Sequence, residues 1–289
     1  MNTKPNIAVI GGTGVYQMDS LKDVETIEMN TPYGAPSSAI VIGSIEDKRV
    51  AFLARHGIGH VLLPSEVNYR ANIYALKMIG VKRIISITAC GSLREDFAPG
   101  HIVIPDQIID FTRNRKNTFF GDGLVAHISS ADPFCNTLSG YLYHAVSNLT
   151  SQVHRGGTFI TIEGPRFSTK AESNLYRSWG ITLIGMTASP EAFLAREAEM
   201  CYASMAHVTD YDSWHQSEET VSVEMVVRTL NQNKKIAQES IYHLIQELPD
   251  EIECNCDSAL ENALITNPEY IPVETRNNLD WIIGKYLKS

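Results

Sequence analysis

The chain reads as an α/β protein. Short apolar runs of strand length alternate with longer amphipathic runs at helical spacing. No internal repeat and no low-complexity linker breaks the alternation. At 289 residues and 44% hydrophobic content, the chain can bury the core of one large domain or of two.

The elements follow in order. "NIAVIGG" is a first strand, and "SAIVIGSI" and "RVAFLARHG" are a strand pair around a turn. "PSEVNYRANIYALKMIG" is a helix: Val67, Ala71, Ile73, Ala75 and Met78 recur near helical spacing, and Gly80 ends it. "VKRIISITACGS" returns as a buried strand, and "HIVIPDQIIDF" is one further short strand. Thr112 to His127 are polar and contain glycine, which predicts a long loop. "DPFCNTLSGYLYHAVSNL" is a helix with Asp132 as its N-cap. "GGTFITIEGPRF" is a strand ending in a Gly-Pro turn, and Thr169-x-x-Glu172 opens the next helix as a capping box. "ITLIGMTAS" is a strand, "PEAFLAREAEM" a helix with Pro190 in its first turn, and "CYASMAHVTD" another buried strand. A long helix covers about Ser222 to Glu247, and the tail beyond reads as short helices packed outside.

Composition excludes several roles. The net charge, 24 − 33 = −9, disfavours nucleic-acid partners, whose phosphates ask for a basic face. Any anion must then be held by a few aimed donors. No apolar run approaches the ~20 residues that span a bilayer. The N-terminus lacks the apolar stretch of a signal peptide, so a cytoplasmic, non-membrane protein is expected. The five cysteines are too scattered for a disulfide framework. No C-x-x-C pair and no H-E-x-x-H stretch occurs, so no metal site is expected. Cys254-Asn255-Cys256 reads as two free thiols in a reducing compartment.

The residues just past each apolar run are more informative. Ile10 leads into Gly11-Gly12-Thr13-Gly14, Ala54 into Arg55-His56, Ile87 into Thr88-Ala89-Cys90-Gly91, Ile184-Gly185 into Met186-Thr187, and Val208 into Thr209-Asp210-Tyr211-Asp212. Ligands of α/β sheets bind outside the carboxyl ends of the strands. If these ends are neighbours, an arginine, a histidine, threonine hydroxyls and turn amides suit a phosphate, with Arg55 making bidentate contacts. The acids need a ligand with donors, or a group to protonate. Singly, each motif also reads as structure: a strand-to-helix turn, a surface Arg-His pair, β-branched strand ends, a capped turn. Those readings leave the joint placement unexplained.

In order along the chain, "GGTG", "FLARHG", "PSEVNYRANIYALK", "TACGSLRED", "TIEGPRFSTKAES", "GMTASPEAFLAREAEMCYAS" and "TDYDSW…VSVEMVVRTL" resemble the 5′-methylthioadenosine phosphorylases of the trimeric purine nucleoside phosphorylase group. The resemblance runs from about Asn6 to about Leu248. It implies a central mixed, twisted sheet flanked by helices, with residues 1–250 as a nucleoside phosphorylase domain and 251–289 as a C-terminal helical extension on the same domain. The implied activity is that of a pentosyltransferase of methionine and purine salvage. Inorganic phosphate, a co-substrate, attacks C1′ through an oxocarbenium-like transition state, and no cofactor or metal is required.

By the same resemblance Thr13, Arg55, His56, Thr88, Ala89 and Thr187 form the phosphate cradle. Ala89, Cys90, Gly91, Phe167, Ile184 and Met186 line the nucleoside, Met186 against the ribose with its backbone presented to the hydroxyls and Phe167 at the purine. Asp210 gives N7 of the departing purine a proton, which burial would keep on the carboxyl. Asp212 joins at N6, orients Asp210, or caps the turn. Relatives selective for 6-oxopurines carry Asn in place of such an acid, and those acting on methylthioinosine lack the "TDYD" pattern. Val223 and Val226, three apart on one helix face, suit a methylthio group, and His127 would enter a neighbouring subunit's 5′ pocket. A homo-oligomer is implied, a trimer or a dimer of trimers. The Cys-x-Cys tail, and Cys135 with Cys201, resemble hexameric members that sometimes carry disulfides. Phosphorylases of adenosine, 5′-deoxyadenosine or methylthioinosine, a nucleoside hydrolase, and a non-catalytic nucleotide-binding module are the alternatives.

Overall fold

The computed structural model describes residues 4–12, 18, 20–215 and 222–287. Among these are eleven strands: β1 (Ile7–Gly11), β2 (Lys22–Ile27), β3 (Ile40–Ile45), β4 (Lys48–Ala54), β5 (Arg83–Ser92), β6 (Ile102–Ile104), β7 (Gln107–Phe111), β8 (Val153–Arg155), β9 (Thr158–Ile162), β10 (Leu183–Gly185) and β11 (Cys201–Asp210). The helices are α1 (Tyr69–Met78), α2 (Asn136–Ser147), α3 (Lys170–Ser178), α4 (Ala188–Glu197), α5 (Val223–Glu247) and α6 (Val273–Ile283).

The strands form one mixed sheet. β4, β1, β5 and β11 run parallel, β3 and β10 antiparallel to their β4 and β5 neighbours. Apolar residues on both sides of each central strand explain why the sheet is covered twice. Ile7 and Val9 pack into a layer with α2 and α5, whereas Ala8 and Ile10 pack into a layer with α1, α4 and α6.

The feature that positions the site is a fork in β5. β1 pairs only with Arg83–Ser86 of β5, and β10 takes over that edge at Gly91 and Ser92. Neither reaches Ile87 to Cys90 on that edge, so these backbone groups open into the gap between the ends of β1 and β10. β11 covers the other edge along nearly the whole length of β5.

Several boundaries differ from those expected. "HIVIPDQIIDF" is two strands, because Pro105 has no N–H to continue a ladder. β6 pairs with β11 and β8, and β7 lies at the far end of the sheet on β9. The cap of α2 is Cys135, not Asp132, with its sulfur accepting from the Leu138 N–H at 3.5 Å. α1 begins after Asn68, which caps it through the Ala71 N–H, so residues 64–68 are turn. Gly80, at φ +100, ends α1 in the left-handed region that glycine tolerates. The capping box of Thr169 and Glu172 forms as expected. β2 and β8 had no sequence signal: β2 is an exposed edge strand and β8 is three residues long.

The extension buries Leu260, Ile271, Leu279, Ile282 and Ile283 against the α1 layer. Glu199, itself buried, accepts from the Leu260 N–H, Lys285 and Tyr286. Among the described residues no helix is long and apolar enough to cross a membrane.

Candidate active site

The fork gathers most of the strand ends singled out above. Thr13 lies outside the described residues. Thr88, on the free edge of β5, and Thr187, at the N-cap of α4, bring their hydroxyls to 3.2 Å. Thr187 makes no side-chain cap bond to its own helix, which leaves its hydroxyl for the gap. Both threonines are buried.

The Arg55 guanidinium, expected to make a bidentate contact with an anion, is engaged by partners within the chain. Its Nε and Nη2 donate to the two oxygens of Glu191 at 2.7 and 2.8 Å, Nη2 also to Ser86 Oγ at 2.7 Å, and Nη1 to the Ile87 carbonyl at 3.0 Å. Tyr202 Oη donates to the same carboxylate at 2.8 Å. Arg55 is 3% exposed and Glu191 fully buried. A guanidinium taken from water needs an opposite charge and full hydrogen bonding, and Glu191 provides both from behind the site. Arg55 therefore braces the first turn of α4 and the Ile87 end of the fork.

His56 follows Arg55 and stacks on His60 at 4.2 Å. Its Nδ1 lies 2.9 Å from the Leu62 carbonyl. A carbonyl only accepts, so Nδ1 carries the proton and Nε2 offers a lone pair. Burial, then the Arg55 charge, push its pKa down to about 4, and the ring is neutral near pH 7.

The two acids close the other end. Asp210 is buried, with Oδ1 accepting from the Asp212 N–H at 2.8 Å and Oδ2 2.7 Å from Thr209 Oγ1. Thr209 Oγ1 also lies 3.2 Å from the Cys90 carbonyl. One hydroxyl proton cannot serve both acceptors well. The shorter contact is the one Thr209 donates to, Asp210 Oδ2, and it favours the ionised carboxylate. Burial raises the Asp210 pKa to about 6, against the Thr209 and Asp212 bonds that lower it. Asp212 has φ 49, a conformation aspartate tolerates better than most residues. Burial raises its pKa too, against the hydrogen bonds from Ser173, the Ser213 N–H and Ser168 that lower it.

The need for glycine at position 91 is steric: a Cβ on it would lie 2.9 Å from Asp210 Oδ1 and 3.1 Å from Ile184 Cγ2. Cys90 is buried, with its sulfur 3.4 Å from the His207 carbonyl. Ala89 lies on the open stretch of β5 between Thr88 and Gly91. Trp214 Nε1 donates to the Ser92 carbonyl at 2.8 Å, tying the segment after Asp212 back to β5.

Met186 sits between the two ends. Its carbonyl accepts from Arg115 Nη1 at 2.6 Å. Arg115 had no signal in a polar loop, yet it also donates to the carbonyls of Ser189 and Glu163 at 2.8 Å. It thereby binds the 112–127 loop to the turn that carries Thr187. Glu191, Ser86 and Tyr202 were missed as well. A glutamate in the otherwise apolar "SPEAFLA" was the available clue to the first.

Four expected residues are exposed or only half-buried in the single chain. Phe167 is 37% exposed and Val223 is 68% exposed, with Val226 half-buried one turn on. His127 is exposed, and its N–H is held by the Ala263 carbonyl of the extension. Among the described residues no hydrogen bond or ring contact joins it to the fork.

The chain matches the phosphorylase superfamily over residues 6–246. It is 55% identical to the S-methyl-5′-thioadenosine phosphorylase of Geobacter sulfurreducens, over 97% of this chain and 99% of that protein. It is 50% identical to the protein of that name from Hyperthermus butylicus, over 91% of this chain and 97% of that one. A crystal structure of a methylthioadenosine phosphorylase from an antarctic soil metagenomic library superposes with a TM-score of 0.91 at 46% identity, covering 96% of this chain and 99% of that one. The Schistosoma mansoni methylthioadenosine phosphorylase, solved with adenine, superposes at 0.83 with 36% identity, over 89% of this chain and 96% of that one. With near-complete coverage in each case, the chain belongs to the phosphorylase superfamily and, within it, to the S-methyl-5′-thioadenosine phosphorylase family.

Proposed function

We propose that the chain cleaves S-methyl-5′-thioadenosine with inorganic phosphate, giving adenine and 5-methylthioribose 1-phosphate. One observation carries the reading: the Thr88–Thr187 hydroxyl pair and the buried acid pair stand at opposite ends of the open edge of β5. Thr88 to Gly91 spans three extended residues, about 10 Å. A ribosyl unit with phosphate on one side and purine on the other fits that length.

Phosphate binds among Thr13, the His56 region, Thr88, the Ala89 amide and Thr187, with Arg55 supplying positive charge from behind. A phosphate oxygen attacks C1′ as the C1′–N9 bond breaks, and the bonding pair leaves with the purine. Asp210 gives its proton to N7, and Asp212 Oδ2 accepts from the N6 amino group. Preorganised donors and a positioned acid supply most of the acceleration. Cys90, Gly91, Ile184 and Phe167 border the base, and Met186 packs on the ribose. Val223 and Val226 take the methylthio group. His127 reaches this 5′ pocket from a neighbouring subunit, so the working enzyme is a homo-oligomer, a trimer or a dimer of trimers, in the cytoplasm. No cofactor takes part.

The test is turnover of methylthioadenosine, adenosine and inosine side by side, with and without phosphate. Phosphate-dependent release of adenine, fastest from methylthioadenosine, is expected. Release without phosphate, or preference for inosine, overturns the assignment.

A further inference from the structure

We propose that Cys135, Cys201, Cys254 and Cys256 form a tetrathiolate site for a thiophilic divalent ion, zinc foremost, which staples the C-terminal extension to the sheet. The four sulfurs come from three places: the cap of α2, the first residue of β11, and the tail around the 3₁₀ turn Cys256–Ser258. All four lie within 4.8 Å of one another, and Cys201 Sγ is 3.4 Å from Cys254 Sγ. Four sulfurs at ~2.3 Å from a tetrahedral ion stand roughly 3.8 Å apart, so only a small closure is needed. Disulfides would join the thiols in pairs. They do not by themselves require four to converge on one point.

Two of the sulfurs have outer donors. The Leu138 N–H donates to Cys135 Sγ at 3.5 Å, and Arg196 Nη1 to Cys256 Sγ at 3.6 Å. Such outer donors orient and stabilise sulfur ligands. A divalent ion with four thiolates carries a net charge of −2, which the Arg196 cation partly offsets. Cys135, Cys201 and Cys256 are buried and Cys254 is half-buried, so the ion has a closed pocket with one accessible ligand. On binding, each ligating thiol releases its proton to solvent. The absence of C-x-x-C spacing hid the site, because Cys201 and Cys254 are 53 residues apart.

Cys201 opens β11 and Asp210 closes it. The strand is ten residues long, which puts the sulfur cluster about 30 Å from the acids. The ion's role is therefore to hold the extension, and the proposal stands or falls independently of the reaction at the fork.

The experiment uses the full chain, purified anaerobically in reductant and loaded with zinc or with cobalt(II). One zinc per chain is expected. The cobalt form should show sulfur-to-metal charge-transfer bands and the visible bands of a tetrahedral ion. Zinc should raise the Tm of the wild type. The Cys254→Ser variant, altered at the half-buried position, and the Cys254→Ser/Cys256→Ser variant should lose most of the bound zinc and the shift in Tm. Zinc uptake by the reduced wild type no greater than by the double variant overturns the proposal. A cobalt spectrum without sulfur charge transfer overturns it on the wild type alone. Disulfides forming in air while the reduced chain takes up no zinc also overturns it.

Discussion

Replacing Asp210 with asparagine separates the carboxyl's chemistry from its place in the fold. Asparagine has the same shape, its Oδ1 can accept from the Asp212 N–H, and its Nδ2 can donate to Thr209 Oγ1, bonds now 2.8 and 2.7 Å long. Little packing is lost. The ionisation changes. Burial lifts the Asp210 pKa from 3.8 to about 6, so the fold prefers the protonated form. That preference stabilises the protein fully below about pH 4 and is lost as pH rises through 6, where an ionised carboxylate must be kept buried. The gap amounts to about 3 kcal/mol once both states are ionised. Between about pH 5 and 7.5, the urea stability of Asp210→Asn relative to the wild type should therefore grow by about 1.4 kcal/mol. Over the same range adenine release from methylthioadenosine should fall about 10²–10⁴-fold, roughly 3–5 kcal/mol of barrier, because an amide cannot deliver a proton to N7. Methylthioinosine should suffer less, since an amide can face O6. Asp212→Asn should cost less on either substrate. Denaturation at both pH values, paired with initial rates, decides the matter. Near-normal adenine release by Asp210→Asn, or a stability difference that does not move with pH, refutes the reasoning.

Gly91→Ala should slow adenine release about tenfold to a hundredfold, because the new Cβ would lie 2.9 Å from Asp210 Oδ1 and push the acid aside; unchanged initial rates would show that the acid has room. Thr88→Val and Thr187→Val should each raise the phosphate KM about tenfold, the cost of one hydrogen bond to a charged group, with a smaller effect on the nucleoside KM; equal shifts in both constants count against a phosphate role. Arg55→Ala should lower unfolding free energy by about 3–5 kcal/mol by stranding the Glu191 charge, and adding Glu191→Gln should restore part of it; a urea midpoint unmoved by Arg55→Ala would show that the pair does not brace the fork.

The parts of the site readable from sequence are those set by short-range rules. Gly80 ends α1, and the capping box opens α3. The apolar runs of β1, β4, β5, β10 and β11 give way to polar residues, and core packing alone does not call for polar groups there, some of them buried. Those ends name Thr88, Thr187, Asp210 and Asp212 before any fold is known. β2 was missed because a mostly exposed edge strand lacks an apolar pattern, and β6 and β7 were merged because the effect of Pro105 on pairing depends on the neighbouring strands.

The sequence by itself determined the α/β alternation and the residue types that follow each apolar run, and hence which residues make up the candidate site. The tertiary structure alone decided how those residues are used. β10 relieves β1 on one edge of β5 and leaves four residues open. Arg55 pairs with Glu191, 136 residues away. Arg115 ties a distant loop to the Thr187 turn, and four cysteines from three separate stretches of the chain meet at the foot of β11. The physical reason is range. Periodicity, caps and turns act over a few residues and leave a mark in the sequence. Burial of a charge or a thiol is settled by partners from elsewhere in the chain, and no local pattern records which partner the fold brings.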